Sequence, residues 1–146
     1  MAYELSISVF GPGTDPSHRS HWGFIINRPG DDFGDLLHTR LLDLQRLWYI
    51  FEERSGTNII SQQSEGRIKL STLTFDQRSY AKLIIQRQPA PMDGKRKCQD
   101  WVSETVAILE EKGIVSPGMS ERIGSAVGKP AAVVATMMGD AWINTK

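Results

Sequence analysis

The chain is poor in cysteine: it holds one, Cys98, among 146 residues. A lone cysteine excludes an intrachain disulfide and fits a reducing compartment. Net charge is lacking as well. The 17 basic and 17 acidic residues cancel, so no field of one sign recommends nucleic acid as a partner. Long apolar runs are missing too. The longest, residues 131–138, falls far short of the ~20 residues that cross a bilayer. The N-terminus lacks the basic and apolar regions of a secretory signal, and the C-terminal Asn-Thr-Lys is no peroxisomal address. A cytoplasmic location without membrane partners is the expectation. Histidine is scarce, at three residues, and one cysteine with scattered histidines lacks paired metal-ligand spacing. Asp31, Asp32 and Asp35 lack the spacing of a calcium loop. Neither a metal nor a cofactor is expected.

What is present is an ordinary globular mixture, 40% apolar and 23% charged. The length suits one domain over residues 1–146, large enough to bury roughly 68–70% of its extended surface without a staple. The first half reads as strands: 3–10, closed by Gly11-Pro12-Gly13; 21–27, closed by Pro29-Gly30; 35–43; 47–53, with Ser55-Gly56 as a turn; and 67–73. The leucines of 36–51 also fit a helical period, but Trp48-Tyr49-Ile50-Phe51 favours a strand. The second half reads as helices. Thr74 and Gln77 form a capping box for a helix to about Arg87, stopped by Pro89. Cys98 opens the clearest helix, which ends at Gly113. Ser116-Pro117 looks like an N-cap and first helical residue, leading to about Val127. Residues 131–138 form a last buried helix or strand. The fold class is therefore α+β: a twisted antiparallel sheet of four to five strands packed against helices.

One constellation carries chemistry. A cysteine at a helix start faces unpaired backbone N–H groups and the positive end of the dipole, which favour thiolate. Lys95, Arg96 and Lys97 add positive charge before it. A thiol nucleophile needs a base, and histidine is suited to that near neutral pH. His21 begins an apolar strand beside Trp22. His38 lies on the next strand, where cross-strand neighbours stand ~4.5–5.5 Å apart, and can orient His21 as the third member of a triad does. His18, in a loop, is the weakest candidate. Arg19, Trp22, Gln99 and Lys97 are candidate oxyanion or substrate contacts. The plainer reading makes Cys98 a core residue on the stripe of Trp101, Val102, Thr105, Ile108 and Leu109, since free cysteine is often buried.

These residues resemble the circularly permuted papain-like (NlpC-like) superfamily in its lecithin:retinol acyltransferase arrangement. The shared pattern is His21-Trp22-Gly23-Phe24 on a strand, a second histidine on the next strand, and a cysteine opening a later helix. The stretch Cys98-Gln99-Asp100-Trp101-Val102 is also similar to that of small fungal proteins pairing His-Trp with Cys-Gln-Asp-Trp-Val, some thought to serve natural-product pathways. The resemblance spans roughly residues 3–113. Lys97 stands where the superfamily usually has asparagine. The resemblance implies Cys98 as nucleophile, His21 as base and His38 as the orienting residue. The implied function is that of a thiol hydrolase, acyltransferase or cyclase acting on an amide, ester or thioester of a small molecule. Two alternatives remain open: acid–base cyclisation or isomerisation in the same pocket, and a non-enzymatic binding module. The oligomeric state is not legible.

Overall fold

The computed structural model describes residues 2–15 and 17–146. Five strands come first: β1 (Tyr3–Phe10), β2 (His21–Asn27), β3 (Phe33–Asp43), β4 (Trp48–Asn58) and β5 (Ser64–Leu73). Four helices follow: α1 (Phe75–Arg87), α2 (Cys98–Glu111), α3 (Met119–Ala126) and α4 (Ala131–Met138). A 3-10 turn then leads into a short strand, β6 (Trp142–Asn144). The strands form one antiparallel sheet in the order β4-β3-β2-β1-β5-β6. The fold is α+β. None of the described helices is long and apolar enough to cross a membrane.

Alternation along the strands assigns the sheet two different faces. Leu5, Ile7 and Val9 of β1, Trp22, Phe24 and Ile26 of β2, Leu37 of β3 and Ile68 of β5 enter the main core. They meet Trp101, Val102, Val106 and Leu109 of α2, whose spacing puts them on one helical stripe. Each such side chain contributes roughly 1.5–3 kcal/mol when fully buried. The ring of Trp101 is the hub. Its centroid lies 5.7 Å from that of Phe24 and 6.1 Å from that of Phe51, and its indole N–H donates to the Gln88 carbonyl at 3.1 Å. The opposite face carries a smaller cluster of Ile25, Leu36 and Ile59, with Phe10 against it.

Several local readings of the sequence are realised. Thr74 and Gln77 make both halves of the capping box, at 3.2 and 2.9 Å. Cys98 is the first residue of α2. Asp100, in its first turn, accepts the Lys97 N–H at 2.8 Å, so Lys97 occupies the cap position without a capping side chain of its own.

Four expectations need correction. The sheet has six strands rather than four or five. β6 is too short to show a period, and it forms because the Trp142 ring lies where a side chain on Gly66 of β5 would stand. β4 does not turn at Ser55-Gly56: cross-strand pairing with β3 carries it on to Asn58. β3 and β5 likewise start earlier than their hydrophobic patterns suggest, at Phe33 and Ser64. Helix α3 starts at Met119, because Pro117-Gly118 forms a turn in which Gly118 has φ +92°, a conformation glycine adopts without steric cost.

Candidate active site

The site lies where the sheet comes apart. β2 and β3 pair only at Phe24–Leu37, Ile25–Leu36 and Ile26–Asp35. Beyond Phe24 the ladder stops, and the backbone N–H of Trp22 faces the sulfur of Cys98 instead. The start of α2 therefore plugs the slot between the two strands. Gln99 holds it there. Its side-chain amide donates to the Ser20 carbonyl at 2.8 Å and accepts the Gly128 N–H at 2.7 Å. The residue after the cysteine thus ties down the residue before His21.

Cys98 and His21 line one cavity of about 300 Å³, together with Arg19, Thr39, Tyr49 and Lys97. Leu41, Leu44 and Leu47, at the β3–β4 turn, form its apolar wall. The Thr39 hydroxyl is buried with no partner among the described residues.

On the histidine side the contacts form a chain. His21 Nε2 lies 2.8 Å from His38 Nδ1. His38 Nε2 lies 3.0 Å from Glu52 Oε1, and Arg40 Nε donates to Glu52 Oε2 at 3.1 Å. Phe10 stacks on His21, with centroids 5.9 Å apart. Gly23 makes room for the crossing: a Cβ there would stand 2.8 Å from the Cβ of His38.

The electrostatics of the pair run opposite to the thiolate expectation. Burial pushes the Cys98 thiol up, and the N–H groups of Trp22 and Gln99, which favour thiolate, do not offset it. Burial first, and the neighbouring His38 second, push His21 down to about 4. At neutral pH the resting pair is a neutral thiol and a neutral imidazole. The helix-start argument anticipated the Gln99 N–H but not the Trp22 N–H from β2, and it left out desolvation, the larger effect here. Tyr49 is held above its ordinary value by burial and then by the nearby Cys98.

Cys98 and His21 line one cavity, and His38 stands behind His21, lining a second cavity with it. Lys97 and Arg19 stand at the cavity, with Arg19 Nη1 3.6 Å from Asp100 Oδ2. Two proposed contacts are placed differently. The Gln99 amide braces Ser20 and Gly128, and its side chain is buried away from the cavity lining. The Trp22 indole is buried in the core, and only its backbone N–H faces the sulfur. His18 borders the cavity but pairs with Asp15 at 2.9 Å on the surface. The sequence reading missed Glu52, which sits directly opposite His38 on β4. Hairpin counting was the available signal, but it misleads. From the closing pair Asp43–Trp48, an even ladder sets His38 against Glu53. A register shift between Leu41 and Asp43 moves the partner to Glu52. Among the described residues no three His, Cys, Asp or Glu side chains gather into a metal-holding set.

Residues 7–116 match a family of unknown function (DUF6540). The matched segment holds all four residues from Cys98 through the histidines to Glu52, and leaves out α3, α4 and β6. No curated protein and no solved structure matches the chain.

Proposed function

The chain belongs to the DUF6540 family, and on the strength of its site we propose that it is a cysteine-dependent enzyme of acyl chemistry acting on a small amide, ester or thioester. The observation that carries this reading is the shared cavity: a thiol at a helix start and a half-buried imidazole open into the same space. His38 occupies Nε2 of His21, so the free nitrogen is Nδ1; Cys98 and His21 share the cavity without a direct hydrogen bond, and on this reading Nδ1 exchanges protons with the thiol across it.

As Cys98 Sγ bonds to the substrate carbonyl carbon, His21 Nδ1 takes the thiol proton. The carbonyl π pair moves onto oxygen, where the unpaired N–H groups at the start of α2 stabilise it. When the tetrahedral adduct collapses, the imidazolium returns its proton to the departing amine, alcohol or thiol, leaving a thioester on Cys98. Water or a second nucleophile then attacks that carbonyl while His21 removes its proton. Collapse releases the product, and the proton goes back to sulfur. Hydrolysis, transfer and ring closure differ only in the second nucleophile. A strand opening on His-Trp, a second histidine on the neighbouring strand and a cysteine heading the later helix support the resemblance to the permuted papain-like arrangement. A role in fungal natural-product biosynthesis extends that resemblance, and the cytoplasmic location remains part of the same proposal.

A second reading has an observation of its own. A thiol pushed up and an imidazole pushed down to about 4 make a neutral acid and a neutral base, which suit proton relocation in a cyclisation or isomerisation without a covalent intermediate. Intact-mass spectrometry after treatment with activated esters and thioesters separates the two. Covalent catalysis predicts one acyl group on Cys98, absent from Cys98→Ala and formed ~10²–10⁴-fold more slowly in His21→Gln. Turnover that leaves no acyl adduct and is lost in both Cys98→Ala and His21→Gln favours the second reading. A Cys98 that stays unmodified until the protein unfolds is a core residue, and both readings then fail.

A further inference from the structure

The histidine chain does not end at His38, and its far end decides what its near end can do. A neutral imidazole has one N–H and one lone pair, so each hydrogen bond it makes fixes the role of its other nitrogen. Glu52 is held below the ordinary carboxylate range, first by its hydrogen bond with His38. As a carboxylate it can only accept. With His38 neutral, its Nε2 then carries the hydrogen and its Nδ1 becomes an acceptor. Nδ1 in turn accepts from His21 Nε2 across 2.8 Å. The lone pair of His21 is thereby displaced to Nδ1, the nitrogen not engaged by His38.

We propose that Glu52, steadied by Arg40, is the positioning residue that selects the His21 tautomer with a free Nδ1. This rests on the reading of His21 as the base. The geometry suits the role. Glu52 is the direct cross-strand partner of His38, and Arg40 sits on the same face two residues along β3. Arg40 takes Oε2 at 3.1 Å and so turns Oε1 toward His38 at 3.0 Å. When His21 takes the thiol proton, the positive charge lies one imidazole away from this carboxylate. Glu52 therefore both chooses the tautomer and offsets the charge that appears during the reaction.

The test reads the imidazole nitrogens directly, by ¹⁵N–¹H correlation NMR of the full chain at pH 7, alongside the rate of Cys98 acylation by p-nitrophenyl acetate. The wild type is expected to show hydrogen on Nε2 of both His21 and His38. Glu52→Leu removes the acceptor, so His38 should redistribute its hydrogen between nitrogens and acylation should slow roughly ten- to a hundred-fold, the range for losing an outer-shell partner. Glu52→Gln keeps an acceptor oxygen without the charge, so the tautomers should persist while the rate falls by a smaller factor. A wild-type His21 with hydrogen on Nδ1 overturns the proposal, as does a Glu52→Leu protein whose tautomers are unchanged. Tautomers as expected without acylation in any variant would support the relay and reject the acyl-chemistry reading, so the two failures are distinguishable.

Discussion

Strand β2 has two unlike flanks. Toward β1 it is paired in unbroken register from Asn27 to His21. Toward β3 it is paired at only three positions, and the chain beyond them is occupied by a cysteine, two histidines and an orphaned threonine hydroxyl. An intact ladder satisfies its backbone internally and leaves nothing for chemistry. A ladder that stops leaves backbone donors to be used elsewhere, and here the Trp22 N–H faces the Cys98 sulfur. The gap in the sheet is thus the feature that builds the site.

The sharpest way to break this difference is to disturb the crossing at Gly23. In Gly23→Ala the new methyl group meets the His38 Cβ at 2.8 Å and Leu36 Cδ1 at 3.0 Å. Overpacking of this kind costs about 1–3 kcal/mol. His38 must move, so acylation of Cys98 should fall by roughly the same ten- to hundred-fold as on losing an outer-shell partner, while the β1–β2 amides keep their hydrogen-exchange protection. Equal loss of protection on both flanks would show that the slot is not locally organised.

Acid should discriminate between the flanks more gently. The folded-state pKa of His21 lies below its ordinary 6.5, at about 4. The unfolded chain therefore binds more protons between those values, and stability should fall as pH drops from about 6.5 toward 4. The part due to His21 is on the order of 3 kcal/mol, and the lowered Glu52 carboxyl adds to the decline at lower pH. Urea midpoints across this range should decline in the wild type and flatten in His21→Gln. Parallel curves for the two proteins would place the pH dependence elsewhere.

Much of the frame is legible in the residues themselves. Strands β1 and β2, the capping box at Thr74 and the start of α2 follow from local pattern, because burial and hydrogen bonding there agree with it. Cys98, His21 and His38 are legible as candidates because so few thiols and imidazoles exist to choose from. What the sequence hides is non-local. Glu52 reaches His38 only through a register shift at Leu41–Asp43. Gln99 reads as a polar contact beside the nucleophile, yet its amide is spent on Ser20 and Gly128, distant in sequence. The direction of the thiol shift depends on how deeply the slot closes over the sulfur, which helix position alone does not reveal.

The most direct measurement is the pH profile of the single-turnover burst of p-nitrophenol released as Cys98 is acylated by p-nitrophenyl acetate. With His21 as the base the burst should equal one per chain. Its rate should rise through about pH 4 as the imidazole loses its proton and then level off to pH 8, a plateau absent from His21→Gln. A rate that climbs tenfold with each pH unit across that span, and climbs equally in His21→Gln, would mean that free thiolate alone reacts and that the thiol and imidazole do not work together.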